Sequence, residues 1–508
     1  MSGKILLLKN GNRLVVNPTN ERIYDILTPV LTFEEQEFLR GWELREAINH
    51  DQPRVRFTSW ECFGLDHKKR LVTAFGFWRK IYDALKANGY KVRMKDTDPH
   101  PDPSVYQPEY ERLKMFGVKL KQDQPEFLDA LFSNPCGRFS CPPGFGKSFM
   151  ISVVGLLCPR ARIDVVSKNV AVIRDRIYPE LCQMLPDVGI VGGGKRRKGR
   201  RVMCYTIDSA HHADGTADIM FGDECHQFGA DRAAYRSGRT WGRSRNFGLS
   251  ASHDMRLDGK DLRVEGIFGP IIHEVPYQQS QEAGVVAPIR VLWTSCSMDW
   301  DPCEGEIDST EKKRHGIWQN DYRNDLIATD ARLYDKDTQV LIPCETIRHA
   351  VHLKARLPEF QMVYREDGMK PRDRKRYILD NLISRNEPSM TSDRRSQLTS
   401  AFEQGRLKKA IVTTVWNVGV DFRQLGVLLR ADGGGSPINN TQIPGRLSRT
   451  FDGKEVGILH DYMDEFNRGF RTKARRREKD YDGHGWEQQF PDKARKGSVR
   501  DQLDLFDR

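Results

Sequence analysis

The sequence predicts an α/β protein: two parallel-sheet domains in tandem, preceded by a small α+β accessory domain. Three observations carry this. A glycine-rich turn, Cys141-Pro-Pro-Gly-Phe-Gly-Lys-Ser148, opens an apolar run from Phe149 to Leu157 that suits a helix packed on a sheet. A strand-like run from Ala217 to Gly222 ends on Asp223-Glu224, and acidic residues at the C-terminal end of a buried strand lie where an open α/β sheet puts its chemistry. A second, weaker alternation of strands and helices fills 290–470. The expected division is 1–100 for the accessory domain, 105–290 and 291–470 for the two sheet domains, and 471–508 for a basic flexible tail.

Composition narrows the class. At 508 residues the chain exceeds one ordinary core, and domains of about 100–200 residues are expected. No run approaches the roughly 18 consecutive apolar residues of a membrane span. The N-terminal run Ile5 to Leu8 is too short for a secretory signal, so a cytoplasmic protein without membrane contact is expected. Ten cysteines are scattered without a CxxC pair, so neither a zinc knuckle nor a disulfide framework is indicated. Lys plus Arg number 81 against 70 Asp plus Glu, a clustered excess of 11 that favours a polyanionic partner.

In chain order, Ile5 to Val16 reads as a hairpin turning at Asn10-Gly11. Thr32-Phe-Glu-Glu35 reads as a capping box opening a helix to about Ala47. Phe77/Trp78, Ile81/Tyr82 and Leu85 have helical spacing up to Asn88-Gly89, ahead of an alternating strand from Tyr90. These aromatics suit a core better than base-stacking platforms. Asp96 to Ser104, rich in proline, reads as a stiff linker.

The loop Cys141–Ser148 has the spacing of a phosphate-binding loop, with Cys141 where the pattern usually has glycine. Backbone N–H groups of Gly144, Phe145 and Gly146 can wrap a triphosphate, Lys147 reaches its outer phosphates, and the Ser148 hydroxyl is a Mg²⁺ ligand. Asp223 is expected to hold Mg²⁺ through water, and Glu224 to orient and deprotonate the attacking water. ATP and Mg²⁺ are therefore the expected nucleotide and metal. Strands are expected at Ile163–Lys168 and from Val202. In the second domain they are expected at Thr338–Pro343 and from Lys409, with helices at 350–357 and 394–404. Residues 365–395, charged and poor in apolar groups, read as a surface insertion. Two parallel-sheet domains with one phosphate loop suggest that the second closes on nucleotide bound by the first.

With Asp223-Glu-Cys-His226 in place, the chain resembles the superfamily 2 helicases over about 110–465. The resemblance implies two RecA-like domains and nucleic-acid-stimulated ATP hydrolysis. Gln124, in Leu120-Lys-Gln-Asp-Gln124, falls where the family reads adenine, with Gln122 as competitor. Ser250-Ala-Ser252 matches the motif coupling hydrolysis to movement on DNA. Thr414-Val-Trp-Asn-Val-Gly-Val-Asp421 matches the motif whose Gly419 and Asp421 lie between nucleotide and nucleic acid. Gln442-Ile-Pro-Gly-Arg-Leu-Ser-Arg449 matches QxxGRxxR in full. His226, Ser250, Ser252 and Gln442 are thereby assigned to coupling. Arg449 is assigned as the arginine finger and Arg446 as its γ-phosphate partner, or the two in exchanged roles, because a guanidinium stabilises charge that spreads over γ-phosphate oxygens. Phe247 to Gly259, Ile267 to Val275 and Glu282 to Pro288 are similar to the XPB-like and phage UvsW-like branch, which remodels double-stranded or branched DNA.

Lys195, Arg196, Arg197, Lys198, Arg200 and Arg201 occupy six of seven positions beside the glycine turn 192–194. Such a loop can track DNA phosphates without reading sequence, and a solvated hairpin tip is the alternative. Arg471 to Lys479 forms a second cluster. At the C-terminus, Gln502-Leu503-Asp-Leu505-Phe506 is similar to the peptide with which bacterial and phage proteins bind the sliding clamp, with Leu505-Phe506 as apolar anchor and Gln502 as polar rim contact. The expectation is an ATP-dependent DNA helicase or translocase of a bacterial or phage-infected host. An RNA helicase, a restriction-complex motor and an ATP-switched DNA scaffold are the rival readings.

Overall fold

The computed structural model describes residues 3–39, 42–43, 46–47, 50, 52–53, 55–121, 123–142, 144–250, 261–282, 284, 286–416, 420, 422–451 and 453–491. They fall into two compact units. Among the described residues the first reaches Val275 and the second begins at Pro276. The boundary thus lies near 275 and not 290, because Tyr277, Val286 and Ile289 already belong to a core of the second unit.

In the first unit, β1 (Lys4–Asn10) and β2 (Arg13–Asn17) pair antiparallel, with Gly11 at φ +55° in the expected turn. A helix, Glu21–Leu31, follows. Its signal is local: Asn20 caps it, and Ile23, Leu27 and Leu31 are buried at helical spacing. The helix expected from Thr32 is instead β3 (Thr32–Phe38), paired antiparallel with β4 (Val55–Glu61) from Thr32↔Glu61 to Phe38↔Val55. Thr32 ends the preceding helix in an extended conformation (φ −111°, ψ 138°), so the chain leaves it straight into a ladder. Strands β5 (Phe63–Leu65), β6 (Leu71–Ala74) and β7 (Lys91–Asp96) complete a sheet in the order β5-β6-β2-β1-β7. The helix Trp78–Ala87 buries Ile81 and Leu85 against this core.

This accessory domain is not an independent body. Its core also takes in Cys136, and Leu262 packs against it. The expected linker is pinned down as well. His100 Nε2 lies 2.7 Å from Asp218 Oδ1, and Arg243 Nε lies 3.1 Å from Asp98.

Eight strands follow: β8 (Gly137–Ser140), β9 (Ile163–Ser167), β10 (Val188–Gly192), β11 (Lys195–Arg197), β12 (Val202–Thr206), β13 (Ile219–Asp223), β14 (Arg245–Ser250) and β15 (Ile271–Glu274). They form one sheet in the order β11-β10-β12-β9-β13-β14-β8-β15, parallel throughout except for the β10–β11 hairpin. Strands β9 and β13 are buried along their whole length, as parallel strands covered on both faces must be.

The second unit carries β16 (Ile289–Cys296), β17 (Val340–Pro343), β18 (Gln361–Val363), β19 (Lys409–Val412), β20 (Val427–Leu429), β21 (Gly457–Asp464) and β22 (Glu487–Gln489). They are all parallel, in the order β18-β19-β17-β20-β21-β16-β22. The stretch 365–395 is better anchored than a surface insertion: it holds the helix Pro371–Leu379, and Ile383 and Met390 are buried in a core.

The tail expected from 471 also needs correction. Residues Arg468–Gly483 form a helix, and β22 adds a strand beside β16. Phe470, Ala474, Arg477 and Tyr481 make the buried stripe of that helix, and Arg477 pays for its burial by pairing with Asp461 at 2.9 Å. Residues 492–508, with Gln502, Leu503, Leu505 and Phe506, lie outside the described residues. Among the described residues no helix is long and apolar enough to cross a membrane.

Candidate active site

Three parallel neighbours, β13, β14 and β8, end side by side, so Asp223, Ser250 and the phosphate loop emerge from one edge of the sheet. The base of the loop is tied to that edge: the Cys141 N–H donates to the Ser250 carbonyl at 3.0 Å. Gly144 and Gly146 have φ of +96° and +91°, left-handed values that favour glycine at both positions. Gly146 precedes the helix Lys147–Leu157, whose buried Val153, Val154, Leu156 and Leu157 seat it on the sheet. Phe145 is buried beside Phe127, with ring centroids 5.9 Å apart, and its backbone N–H donates to the Pro142 carbonyl at 3.2 Å, a bond that a phosphate would have to displace. Gln124 is buried too. It accepts from the Lys121 N–H at 2.9 Å and donates to the Phe145 carbonyl at 3.1 Å, so its amide braces the loop. Its competitor Gln122 lies outside the described residues.

Lys147 Nζ lies 3.3 Å from Glu224 Oε1. Glu224 itself has φ +48°, an unusual backbone for a residue with a side chain and one that costs about 1–3 kcal/mol. This turn directs the chain into the short helix Cys225–Gly229, which carries His226. The Ser250 hydroxyl lies 3.4 Å from Glu224 Oε2 and 2.9 Å from His226 Nδ1. Donating to the carboxylate, it accepts from a protonated Nδ1, so the Ser250 hydroxyl bridges Glu224 and His226.

The two carboxyls are driven apart electrostatically. Burial, and then the neighbouring Glu224, push Asp223 up to about 6. Burial also pushes Glu224 up, but Lys147, His226 and Arg176 outweigh it and hold that carboxyl below its ordinary value. The donor set fits the expected ligands. A left-handed glycine turn before a helix presents N–H groups to phosphate. A single carboxylate with a hydroxyl, the chemistry of Asp223 and Ser148, is the sparse set with which Mg²⁺ is held when phosphates complete the shell. Ser148 is buried in the first turn of that helix.

In the second unit, Gln442 ends the helix Pro437–Gln442, Arg446 lies in the short helix Pro444–Ser448, and Arg449 follows it in extended conformation. The Arg446 guanidinium sits 5.6 Å from the centroid of the Phe422 ring. Burial, and then Arg449, push Lys454 down to about 8, while its ammonium donates to the Leu447 carbonyl at 2.6 Å. Ser252, Gly419 and Asp421 lie outside the described residues.

The basic stretch forms the β10–β11 hairpin, turning at Gly193 and Gly194, both at positive φ as a tight two-residue turn requires. Lys195, Arg196, Arg197, Lys198 and Arg200 are exposed, and Arg197 donates to the Tyr178 hydroxyl at 3.0 Å. Arg201 is a correction. Its guanidinium donates to the carbonyls of Gly155, Cys158 and Ala161 at 2.9–3.0 Å, so it closes the end of the helix Lys147–Leu157 and is committed inside the fold.

No family model matches the chain, and no curated protein matches it in sequence. Among solved structures it is similar to S. cerevisiae Dbp5 bound to RNA and ADP BeF3, with 13% identity over 80% of this chain and 96% of that one, TM-score 0.53. It is also similar to a fragment of a putative HsdR subunit of a type I restriction enzyme from Vibrio vulnificus YJ016, with 16% identity over 88% and 82%, TM-score 0.51. T4 UvsW aligns over 96% of this chain and 99% of its own at 15% identity, with a TM-score of 0.40, too low to bear on the branch. At these identities the likeness is one of architecture, and the shared fold is that of two tandem RecA-like parallel-sheet domains.

Proposed function

We propose that this protein is an ATP-dependent DNA helicase or translocase that remodels duplex or branched DNA in replication, recombination or repair. The observation that carries the reading is the cluster of Lys147, Glu224, Ser250 and His226, within 3.5 Å of one another in sequence along the chain of contacts. It joins the residues expected to hold and hydrolyse ATP to those expected to couple hydrolysis to movement. Lys147 would leave Glu224 for the β- and γ-phosphates when nucleotide enters, freeing the carboxylate to take a proton from water. Glu224, held ionised by its cationic neighbours, suits that task. Asp223 and Ser148 would hold Mg²⁺, which when bound neutralises phosphate charge. Arg446 and Arg449 are assigned to the charge that develops on the γ-phosphate, and the exposed cations of the β10–β11 hairpin to the DNA backbone. Gln502, Leu503, Leu505 and Phe506 are assigned to a sliding clamp, which would tether the motor at sites of synthesis in a bacterial or phage-infected cell.

Two other readings draw on the fold neighbours. Dbp5 was solved with RNA, and HsdR belongs to a restriction enzyme, so RNA unwinding and a restriction motor share this architecture. Strand displacement separates them: with ATP the protein should release a labelled strand from a DNA fork, and release from RNA substrates alone would overturn the DNA assignment.

A further inference from the structure

The helix Asp261–Phe268 follows the ten residues after Ser250, and it carries a glutamate inside an apolar run, Val264-Glu-Gly-Ile-Phe268. Glu265 is buried, and a buried carboxylate must be paired. Its Oε2 meets two cations from different parts of the unit. Lys80 Nζ, on the accessory helix Trp78–Ala87, lies at 2.8 Å, and Arg138 Nη2, on β8, lies at 3.5 Å. Arg138 also donates from Nε to the Gly269 carbonyl at 2.8 Å. One oxygen therefore ties the accessory domain to the strand that leads into the phosphate loop.

The same helix is gripped at two further points. A Cβ at Gly76 would lie 2.0 Å from the Glu265 carbonyl oxygen and 2.6 Å from that of Gly266, an approach that only glycine permits. On β3 and β4, Phe33 and Trp60 lie against the Arg263 guanidinium at 5.7 and 5.1 Å, and Glu35 lies 3.7 Å from it. Backbone contact, ion pairs and aromatic contact all converge on the one helix that follows the coupling segment.

We propose that Glu265, Lys80 and Gly76 are positioning residues, through which the accessory domain sets the helix Asp261–Phe268 and thereby how strongly nucleic acid stimulates ATP turnover. The inference rests on the ATPase reading above. Glu265 of this helix meets Arg138 on β8, the strand that runs into Cys141, and the Cys141 N–H donates to the Ser250 carbonyl at 3.0 Å. A shift of the accessory domain thus reaches the strand that enters the loop through the Glu265–Arg138 pair.

The test compares the full-length protein with Gly76→Ala, Lys80→Met and Lys80→Arg, using forked DNA. Gly76→Ala and Lys80→Met should lower the ratio of stimulated to unstimulated turnover by about three- to tenfold. Unstimulated kcat and the KM for ATP should hold, and Lys80→Arg should retain the wild-type ratio. Without ATP or DNA, Gly76→Ala should speed amide exchange in Asp261–Phe268 and Gly137–Ser140. An unchanged ratio in both variants, equal loss of stimulated and unstimulated turnover, or unchanged exchange would overturn the inference. Should Gly76→Ala fail to fold, the contrast between Lys80→Met and Lys80→Arg decides it. Wild-type turnover that no nucleic acid stimulates would instead overturn the functional reading.

Discussion

Lys147 Nζ and Glu224 Oε1 stand 3.3 Å apart, so the residue expected to hold phosphate and the residue expected to activate water neutralise each other in this structure. On the proposed function each would exchange that partner for a ligand during a cycle. Removing either one should therefore separate binding from chemistry in opposite ways.

Lys147→Ala should weaken ATP binding and lower turnover by about 10²-fold or more, since a charge aimed at the transferring phosphoryl group is lost. Glu224→Gln should bind ATP as tightly as wild type and fail to hydrolyse it, with a longer residence on DNA. Nucleotide titration alongside steady-state turnover checks both, and undiminished turnover in either variant would refute the assignment.

Asp164 gives a pH signature apart from the site. Burial pushes its carboxyl from its ordinary 3.8 up to about 7, while the Trp241 indole N–H donates to it at 2.7 Å. The folded pKa lies above the unfolded one, so its stabilising contribution is fully present below about pH 4 and is lost as pH rises through about 7. Asp164→Asn keeps an acceptor for Trp241 and removes the charge. It should be more stable than wild type by about 1–3 kcal/mol at pH 8 and equal to it near pH 4, read by thermal melts at both values. A difference independent of pH would contradict this.

The hairpin and Arg201 should behave differently. Neutralising Lys195, Arg196, Lys198 and Arg200 should weaken DNA binding and reduce its salt dependence by about 0.9 log unit per lost phosphate contact, with thermal stability unchanged. Arg201→Ala should cost about 2 kcal/mol of stability, because three carbonyls lose their donor. An unchanged salt slope in the first variant would mark the hairpin as a solvated tip.

A peptide of residues 499–508 should bind a bacterial or phage sliding clamp with micromolar affinity. Leu505→Ala with Phe506→Ala should abolish that binding in the full chain while ATP turnover is kept. Lost thermal stability in the double variant, with no peptide binding, would make the tail a structural clip.

Most of what positions the site was legible in the sequence. Glycine at positive φ, an apolar helix behind it and a strand running into Asp223 are local signals, and all three appear where the spacing puts them. The errors arose where tertiary partners decide. Thr32-Phe-Glu-Glu35 carries a helix-start pattern, but pairing of Phe33 with Trp60 across β3 and β4 overrides it. Arg477 looks like one more cation in a solvated run, yet Asp461 draws it into the core. Arg201 closes a run of six cations and differs from them only in meeting the carbonyls at the end of a helix. Glu265 left a faint trace, a lone carboxylate among apolar neighbours, whose two partners come from Lys80 and Arg138, far off in sequence.

The central claim is that this chain hydrolyses ATP in response to DNA. Steady-state turnover of the wild-type protein, measured with no polymer, single-stranded DNA, linear duplex, forked DNA and RNA, tests it most directly. The account predicts low turnover alone and the strongest stimulation by forked or duplex DNA. Stimulation by RNA only, or tight DNA binding with no change in turnover, would contradict it.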